Sequence, residues 1–453
     1  MRRRSFRRLA LVLALVGALH GLLYVPLVQS NEGTDSWTYT AAAHALDRGH
    51  YSTPLRAGFY YVYPSGFYDI TGIRLARSLW QTPEHQAFRP PGYPAFLALF
   101  GGGGGGASQT LVLLAQAVLF GAGVLLLAAT VRRWWGETPA LLAAALYALD
   151  PWSKHYVALV LSDELAAFLA LAGAYAFTRA WEERATVWWV ATAALASALT
   201  LTRAVFVLVL PLLLVAALLR SRRSALAALA AAAVLLLPWL GWTWHVTGKP
   251  VLASWGEGFN LLLAAEGEGH GRSAAAIEAD PAFLTEVRRV HRFLPSAATL
   301  RRDANAHPRY LRRADDELRT RARSLYAHRL RHRPAQVAWE VTYRAGFLWS
   351  AHQDWFQPRR PALYALWLID WLTIALALAG AAIAWARRGP GRGIVVLLLA
   401  YTAVLATHHV EARFALPLRG FLLALGALAL SEAATLRRRS GRRGETRTAR
   451  TPR

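Results

Sequence analysis

Apolar positions along this chain fall in long unbroken runs, not in the alternation of a half-buried strand or the one-sided stripe of a soluble helix. Runs lie at about 9–28, 109–131, 138–150, 164–180, 224–244, 361–385, 394–409 and 414–435. Most are long enough to cross a hydrocarbon core of roughly 30 Å as a helix. Between Val187 and Leu219 the only charge is Arg203. As one helix that stretch would reach roughly 50 Å, far beyond a single crossing, so two short crossings with Arg203 at their turn are expected. The pattern predicts an all-α integral membrane protein with about ten transmembrane helices.

Charge then orients the spans. Arg132 and Arg133, Arg179 and Arg184, Arg220, Arg222 and Arg223, and Arg387, Arg388 and Arg392 fall on alternate connections, and the tail after 437 is heavily basic. Placing these on the cytosolic side satisfies the positive-inside rule throughout. The opening MRRRSFRR and the apolar run after it resemble a signal sequence, but no small-x-small cleavage site follows, so a retained first span is expected. Four regions result: 1–244, a membrane region whose first outward segment is 30–108; 245–360, an extracytoplasmic segment; 361–436, the C-terminal spans; and 437–453, a disordered basic tail. GGGGGG (101–106) is expected to act as a flexible joint beside a juxtamembrane helix at 92–100. GEGFNLLLAAEGEGHGR (256–272) is expected to be a mobile loop, and 309–333 a solvated, charge-paired helical face.

Composition narrows the chemistry. The formal charge of +24 is almost wholly arginine, with Lys154 and Lys249 the only lysines. Because these cations punctuate apolar spans instead of lining one soluble face, nucleic acid is not an expected partner. The chain has no cysteine, which excludes thiolate metal sites, a cysteine nucleophile and disulfides. The expected topology leaves no cytosolic domain to house a nucleotide, so an activated substrate must come from the outer face or the bilayer. A lipid-linked phosphate fits that condition.

The outer connections should be poor in cations, yet Arg89, Lys154, Arg203 and Arg413 fall there. Cations at a membrane boundary that break the orientation rule are expected to meet an anion, and an arginine fork matches phosphate oxygens. Acidic residues sit at the same level: Asp35 after the first span, and Asp163 and Glu164 where a later span opens. Plainer readings stand beside these. Asp35 is also a good helix N-cap, Arg89 and Arg413 are also placed to snorkel, and Asp150 before Pro151 reads as a helix-end residue. His408, His409 and Glu411 read most simply as interfacial hydrogen-bonding groups.

TDSWTY (34–39), RPPGYPAFLALF (89–100), LSDE (161–164), LTR (201–203) and EARFALPL (411–418), in that order and on that side, together resemble the GT-C membrane glycosyltransferases. The nearest likeness is to the bacterial branch that includes protein O-mannosyltransferases and the lipid A aminoarabinose transferase. The resemblance implies a sugar donor linked to polyprenyl phosphate, a lipid, glycan or protein acceptor, and a site on the outer face of a bacterial cytoplasmic membrane. By it, Asp35 would be the catalytic carboxylate, with Asp163 and Glu164 as further acidic groups. Arg89, Lys154, Arg203 and Arg413 would hold the donor phosphate, and Tyr39 and Tyr93 would line the substrate pocket. No cofactor is required by it, although some GT-C enzymes use a divalent metal. The alternative of another class is a transporter or flippase of a lipid-linked saccharide.

The expected topology is directly testable, because the absence of native cysteine makes labelling clean. An impermeant thiol reagent should modify a Ser273→Cys variant in intact cells and spare Ser221→Cys; the reverse pattern would overturn the orientation.

Overall fold

The computed structural model describes residues 3–27, 34–47, 60–63, 66–69, 89–253, 256–269, 276–277, 280–291, 299, 302–303, 306–350, 361–387, 389 and 391–448. Among these the chain is helical apart from one antiparallel hairpin, Tyr60–Tyr63 paired with Gly66–Asp69. Within apolar surroundings every backbone N–H and C=O must be satisfied inside its own segment, and Ala/Leu-rich runs meet that condition as helices. The helices of the bundle are α1 (Arg3–Tyr24), α4 (Gly106–Trp135), α5 (Glu137–Leu149), α7 (Asp163–Glu183), α8 (Thr186–Thr202), α9 (Val209–Arg220) and α10 (Arg222–Thr247), followed after an intervening segment by α15 (Pro361–Ala386), α16 (Gly391–Leu405) and α17 (Leu416–Thr448). Five stretches, within α1, α4, α10, α15 and α17, are long and apolar enough to cross a membrane on length and composition. The short elements between them are α2 (Thr34–Asp47), α3 (Gly92–Ala98) and α6 (Pro151–Val157).

The last helix is the post around which the others stand. Residues 416–429 of α17 are buried throughout, and the helix packs against α5, α7 and α15. Gly380 lets α15 approach it closely, since a Cβ there would lie 1.9 Å from the Leu425 carbonyl oxygen. The leucines on the outer faces of α1, α10 and α15 stay exposed, as lipid-facing side chains must. Helix α17 runs past the boundary expected at 437, because the arginines there are good helix formers.

The break at Arg203 is where the pattern placed it. Helix α8 ends at Thr202, Arg203 is extended (φ −141°, ψ 110°), and a single 3-10 turn over Ala204–Leu208 leads into α9. The glycine run behaves differently from expectation: it is a packed turn, not a loose joint. Gly102 takes φ +86°, where a Cβ would meet the His44 ring at 2.5 Å, and Ser108 Oγ accepts from the Gly103 N–H at 2.7 Å while donating to the Phe100 carbonyl at 2.7 Å. Glycine is needed there for close approach and left-handed backbone.

Helix α5, with 13 residues, reaches only roughly 20 Å. Asp150 ends it and caps α6, its carboxylate accepting from the Ser153 N–H at 3.0 Å and from Ser153 Oγ–H at 2.7 Å. The same carboxylate accepts from Arg419 Nη2 of α17 at 3.1 Å, and Arg419 also donates to Asp370 of α15 at 2.7 Å. All three side chains are buried. One guanidinium therefore joins three helices at a point where an unpaired charge is prohibitive.

Outside the bundle, α11 (Glu257–Ala265), α12 (Pro281–His291), α13 (Ala306–His332) and α14 (Pro334–Trp349) form a second layer. The stretch expected as a mobile loop is thus largely helix: FNLLLAA outweighs its flanking glycines by burying Phe259, Leu262 and Leu263 against Tyr310, Ala314, Leu318 and Ala322 of α13. The charged α13 buries that apolar stripe as well as presenting ion pairs such as Arg312–Asp316 and Arg319–Glu257. Buried Arg344 of α14 ties the layer to the bundle, donating to the carbonyls of Ala406 (2.7 Å) and Glu268 (2.6 Å) and to the Tyr326 hydroxyl (2.9 Å).

Replacing Arg419 with leucine should leave Asp150 and Asp370 buried without their cation, at a cost of about 3–5 kcal/mol. Thermal unfolding of the purified protein should show that loss, and the double variant with Asp370→Leu should recover part of it.

Candidate active site

The acidic pair at the start of α7 sits where a helix terminus favours negative charge. Asp163 is buried, and its Oδ1 accepts from Arg203 Nη1. Arg203 reaches it because the chain is extended at that residue, turning the side chain back across the end of α8 toward α7. The Arg203 guanidinium lies 5.4 Å from the centre of the Phe414 ring, and that of Arg413 lies 5.7 Å from the same ring. The backbone of Phe414 is held in turn by the Tyr401 hydroxyl, which donates to its carbonyl at 2.6 Å. Two arginines distant in sequence therefore share one aromatic platform.

Other groups extend the platform. The Tyr39 hydroxyl shares a hydrogen bond with Ser162 Oγ at 3.1 Å, immediately before Asp163, and Arg89 lies 5.2 Å from the centre of the Tyr39 ring. Arg89, Tyr39, Ser162, Asp163, Arg203, Phe414 and Arg413 thus follow one another as a continuous contact chain at one end of the bundle. Helix α3 closes it from the side, with Gly92 so near Leu201 that a Cβ would lie 2.7 Å from its carbonyl oxygen.

Two expected site residues turn their polar atoms elsewhere. Lys154 is fully buried in α6, its ammonium donates to the Ala148 carbonyl at the end of α5, and it lies 5.5 Å from the centre of the Phe120 ring. It closes a helix end instead of reaching the platform. Tyr93 is also fully buried, and its hydroxyl donates at 2.8 Å to Gln116, whose Nε2 donates to the carbonyls of Val157 and Leu159 at 2.8 Å each. That bond occupies the one polar atom Tyr93 would offer a substrate. Asp35 lies in the first turn of α2, and its side chain is outside the described residues.

Glu164 is buried beside Asp163, and its Oε1 has no hydrogen-bond partner among the described residues. It lines a cavity of about 10 Å³, enough for roughly one water, together with Ser153, Tyr156, Asp163 and Leu416. Among the described residues no three His, Asp or Glu side chains converge as a metal site.

Beyond Arg413 the charges continue into the outer layer. Arg413 Nε donates to Glu411 Oε2, Glu411 Oε1 lies 3.6 Å from His409 Nε2, and His409 Nδ1 lies 2.6 Å from Glu268 Oε1. Burial alone would push the His409 imidazole down, but the two carboxylates more than offset it and raise it to about 10. Its pairing therefore stabilises the fold fully below the ordinary histidine range, and that contribution fades as pH rises toward about 10.

Sequence reasoning missed Asp370 and Arg419, although each is a lone charge in an apolar run, the same signal that marked Arg203. Glu268 carried no such signal, because it stands in a polar segment.

Residues 89–242 match the family model described as dolichyl-phosphate-mannose-protein mannosyltransferase. That span contains Arg89, Asp163, Glu164 and Arg203. No protein of curated function matches the chain in sequence. In structure it is similar to the Archaeoglobus fulgidus oligosaccharyltransferase in complex with an inhibitory peptide and a dolichol-phosphate, with TM-score 0.50, 15% identity and coverage of 98% of this chain and 52% of that one. The same enzyme in complex with Zn and sulfate gives TM-score 0.51 at 15% identity, covering 93% and 48%. ArnT from Cupriavidus metallidurans bound to undecaprenyl phosphate gives 0.36 at 15% identity, covering 95% and 79%. The chain spans about half the length of the archaeal enzyme. The fold is of GT-C type, that of a multi-pass membrane protein.

The placement of Tyr93 makes a prediction. Tyr93→Phe should cost about 1–3 kcal/mol of stability, by leaving Gln116 Oε1 unpaired. Unfolding midpoints measured on the purified variant should fall accordingly.

Proposed function

From a fold of GT-C type, we propose that the chain is a glycosyltransferase that moves a sugar from a polyprenyl-phosphate-linked donor to a lipid, glycan or protein acceptor. Its site faces outward from a bacterial cytoplasmic membrane. The observation that carries this reading is the pair Arg203 and Arg413 on one Phe414 platform beside Asp163. Cations held by an aromatic ring and by neighbouring carboxylates keep their position without substrate, so they meet a phosphate with little reorganisation. The description of the matching family and the dolichol-phosphate complex of the archaeal structure support a polyprenyl phosphate as the donor's carrier.

The chemistry follows from the leaving group. As the bond from the anomeric carbon to the phosphate oxygen breaks, its electron pair goes to the phosphate, and Arg203 and Arg413 stabilise the added charge. Arg89 stands at the other end of the contact chain, across Tyr39. The acceptor hydroxyl attacks from the opposite face, forming the new glycosidic bond with inversion. Its proton passes to a carboxylate, for which Asp35 in the first turn of α2 is our assignment. Asp163 positions Arg203 and is a supporting group in this scheme. Zn is present in one archaeal structure of this fold, and here each step of the scheme is assigned to the chain's own residues, with Asp163 engaged by Arg203.

Asp35→Asn should lower sugar transfer by roughly a hundredfold or more while leaving affinity for undecaprenyl phosphate intact. A residue acting only as a helix cap would tolerate asparagine, so full activity in that variant would remove Asp35 from the chemistry. Arg413→Ala should weaken undecaprenyl phosphate binding, and Arg203→Lys should only partly retain it, because lysine lacks the planar fork. Unchanged binding in both would overturn the phosphate assignment.

A further inference from the structure

Arg413 is held from its own loop, and that loop is held from the outer layer. After α16 the chain crosses beneath α11: the His409 N–H donates to the Asn260 carbonyl at 2.8 Å, and the His409 ring is 2.6 Å from Glu268 just past the end of α11. Glu268 is itself fixed in place. Its carbonyl accepts from buried Arg344, which also grips Ala406 at the start of the crossing. Arg329 of α13 donates to the neighbouring Ala265 carbonyl at 2.8 Å and pairs with buried Glu340 at 2.5 Å. Both ends of the Glu268–His409 contact are therefore rigid.

That rigidity bears on Arg413 through a shared carboxylate. Glu411 stands between two cations, with Oε2 toward Arg413 and Oε1 toward His409. While His409 is charged, its attraction is divided. If His409 were neutral, Glu411 would direct its full charge at Arg413, drawing the guanidinium in and cancelling the field it offers an incoming anion. We propose that Glu268 and His409 are positioning residues for the donor phosphate, holding Arg413 in its anion-receptive state by competing for Glu411. This rests on the assignment of Arg413 to the phosphate.

The charged and titratable groups around His409 are few. Glu268 faces it from the turn after α11, and Glu411 from its own loop. Arg344 lies behind the Glu268 backbone, and Arg413 lies beyond Glu411. The neighbouring His408 turns away, with Nδ1 3.0 Å from both the Val404 carbonyl and Thr407 Oγ1. With both carboxylates in place the imidazolium persists to about pH 10, so the state of Arg413 should not vary across the neutral range. Removing the Glu268 charge brings the His409 transition back toward its ordinary range near neutrality.

The test is binding of undecaprenyl phosphate to the purified full chain in detergent between pH 6 and pH 9. The probe's own ionisation is common to all variants, and affinities are compared as ratios to the native protein at each pH. The isosteric Glu268→Gln should bind near native affinity at pH 6 and roughly tenfold more weakly at pH 9. His409→Gln should be weakened by a similar factor at every pH, with no dependence of its own. In an Arg413→Ala background, Glu268→Gln should have no further effect. A Glu268→Gln ratio that is flat with pH overturns the proposal, as does an equal loss with Arg413 absent, since either marks a merely structural contact. If Glu268→Gln does not fold, His409→Gln alone and in the Arg413→Ala background decides the matter by the same additivity. Undiminished binding in Arg413→Ala alone would instead remove the phosphate assignment on which the proposal stands.

Discussion

A charge in the apolar interior of a helix bundle must find its partner, and here one cation satisfies that demand for three helices at once. Arg419 sits on the most buried helix and draws Asp150 from the α5–α6 junction and Asp370 from α15. Because Asp150 also caps α6, the pairing fixes where α5 stops and how the chain turns toward α7. The acidic pair at the head of α7 inherits its position from that turn. Hydrophobic packing alone would be a weak determinant of register, since lipid tails are as apolar as leucine. Buried ion pairs between named residues tolerate no slippage.

The same requirement, applied at the mouth of the bundle, gives the site its character. Asp163 with Arg203 and Glu411 with Arg413 are pairs in which each arginine is held by one carboxylate and steadied by a common aromatic ring. A phosphate is recognised well by guanidinium groups already in place, because the entropy of ordering them has been met during folding. Glu164 differs, buried with an oxygen that has no partner among the described residues and lining a space the size of a water.

The outer layer is more than a cover. Helix α11 ends against Arg329 and Arg344, which satisfy its last carbonyls, and the turn that follows delivers Glu268 to His409. Through Glu411 the contact reaches Arg413, so the second layer and the cations at the end of the bundle form one electrostatic unit.

What the sequence by itself determined is what local pattern can carry. The apolar helices, the break at Arg203 and the collection of Arg89, Arg203 and Arg413 at one end of the bundle were legible, because an apolar run fixes a helix and a lone charge fixes its end. The resemblance spread over short motifs was sound for the fold for the same reason. Which way a side chain turns was not legible. Lys154 and Tyr93 stood in the right segments yet face inward, toward a helix-end carbonyl and toward Gln116, since partners for buried polar atoms are chosen by the neighbouring helix. The packing of α11 could not be read either, because its burial depends on a stripe of α13 distant in sequence. Only the tertiary structure brings together Arg419 and Asp150, 269 positions apart, or Glu268 and His409, 141 apart. Each of these charges is unremarkable alone, and its meaning lies in the low-dielectric contact that folding creates.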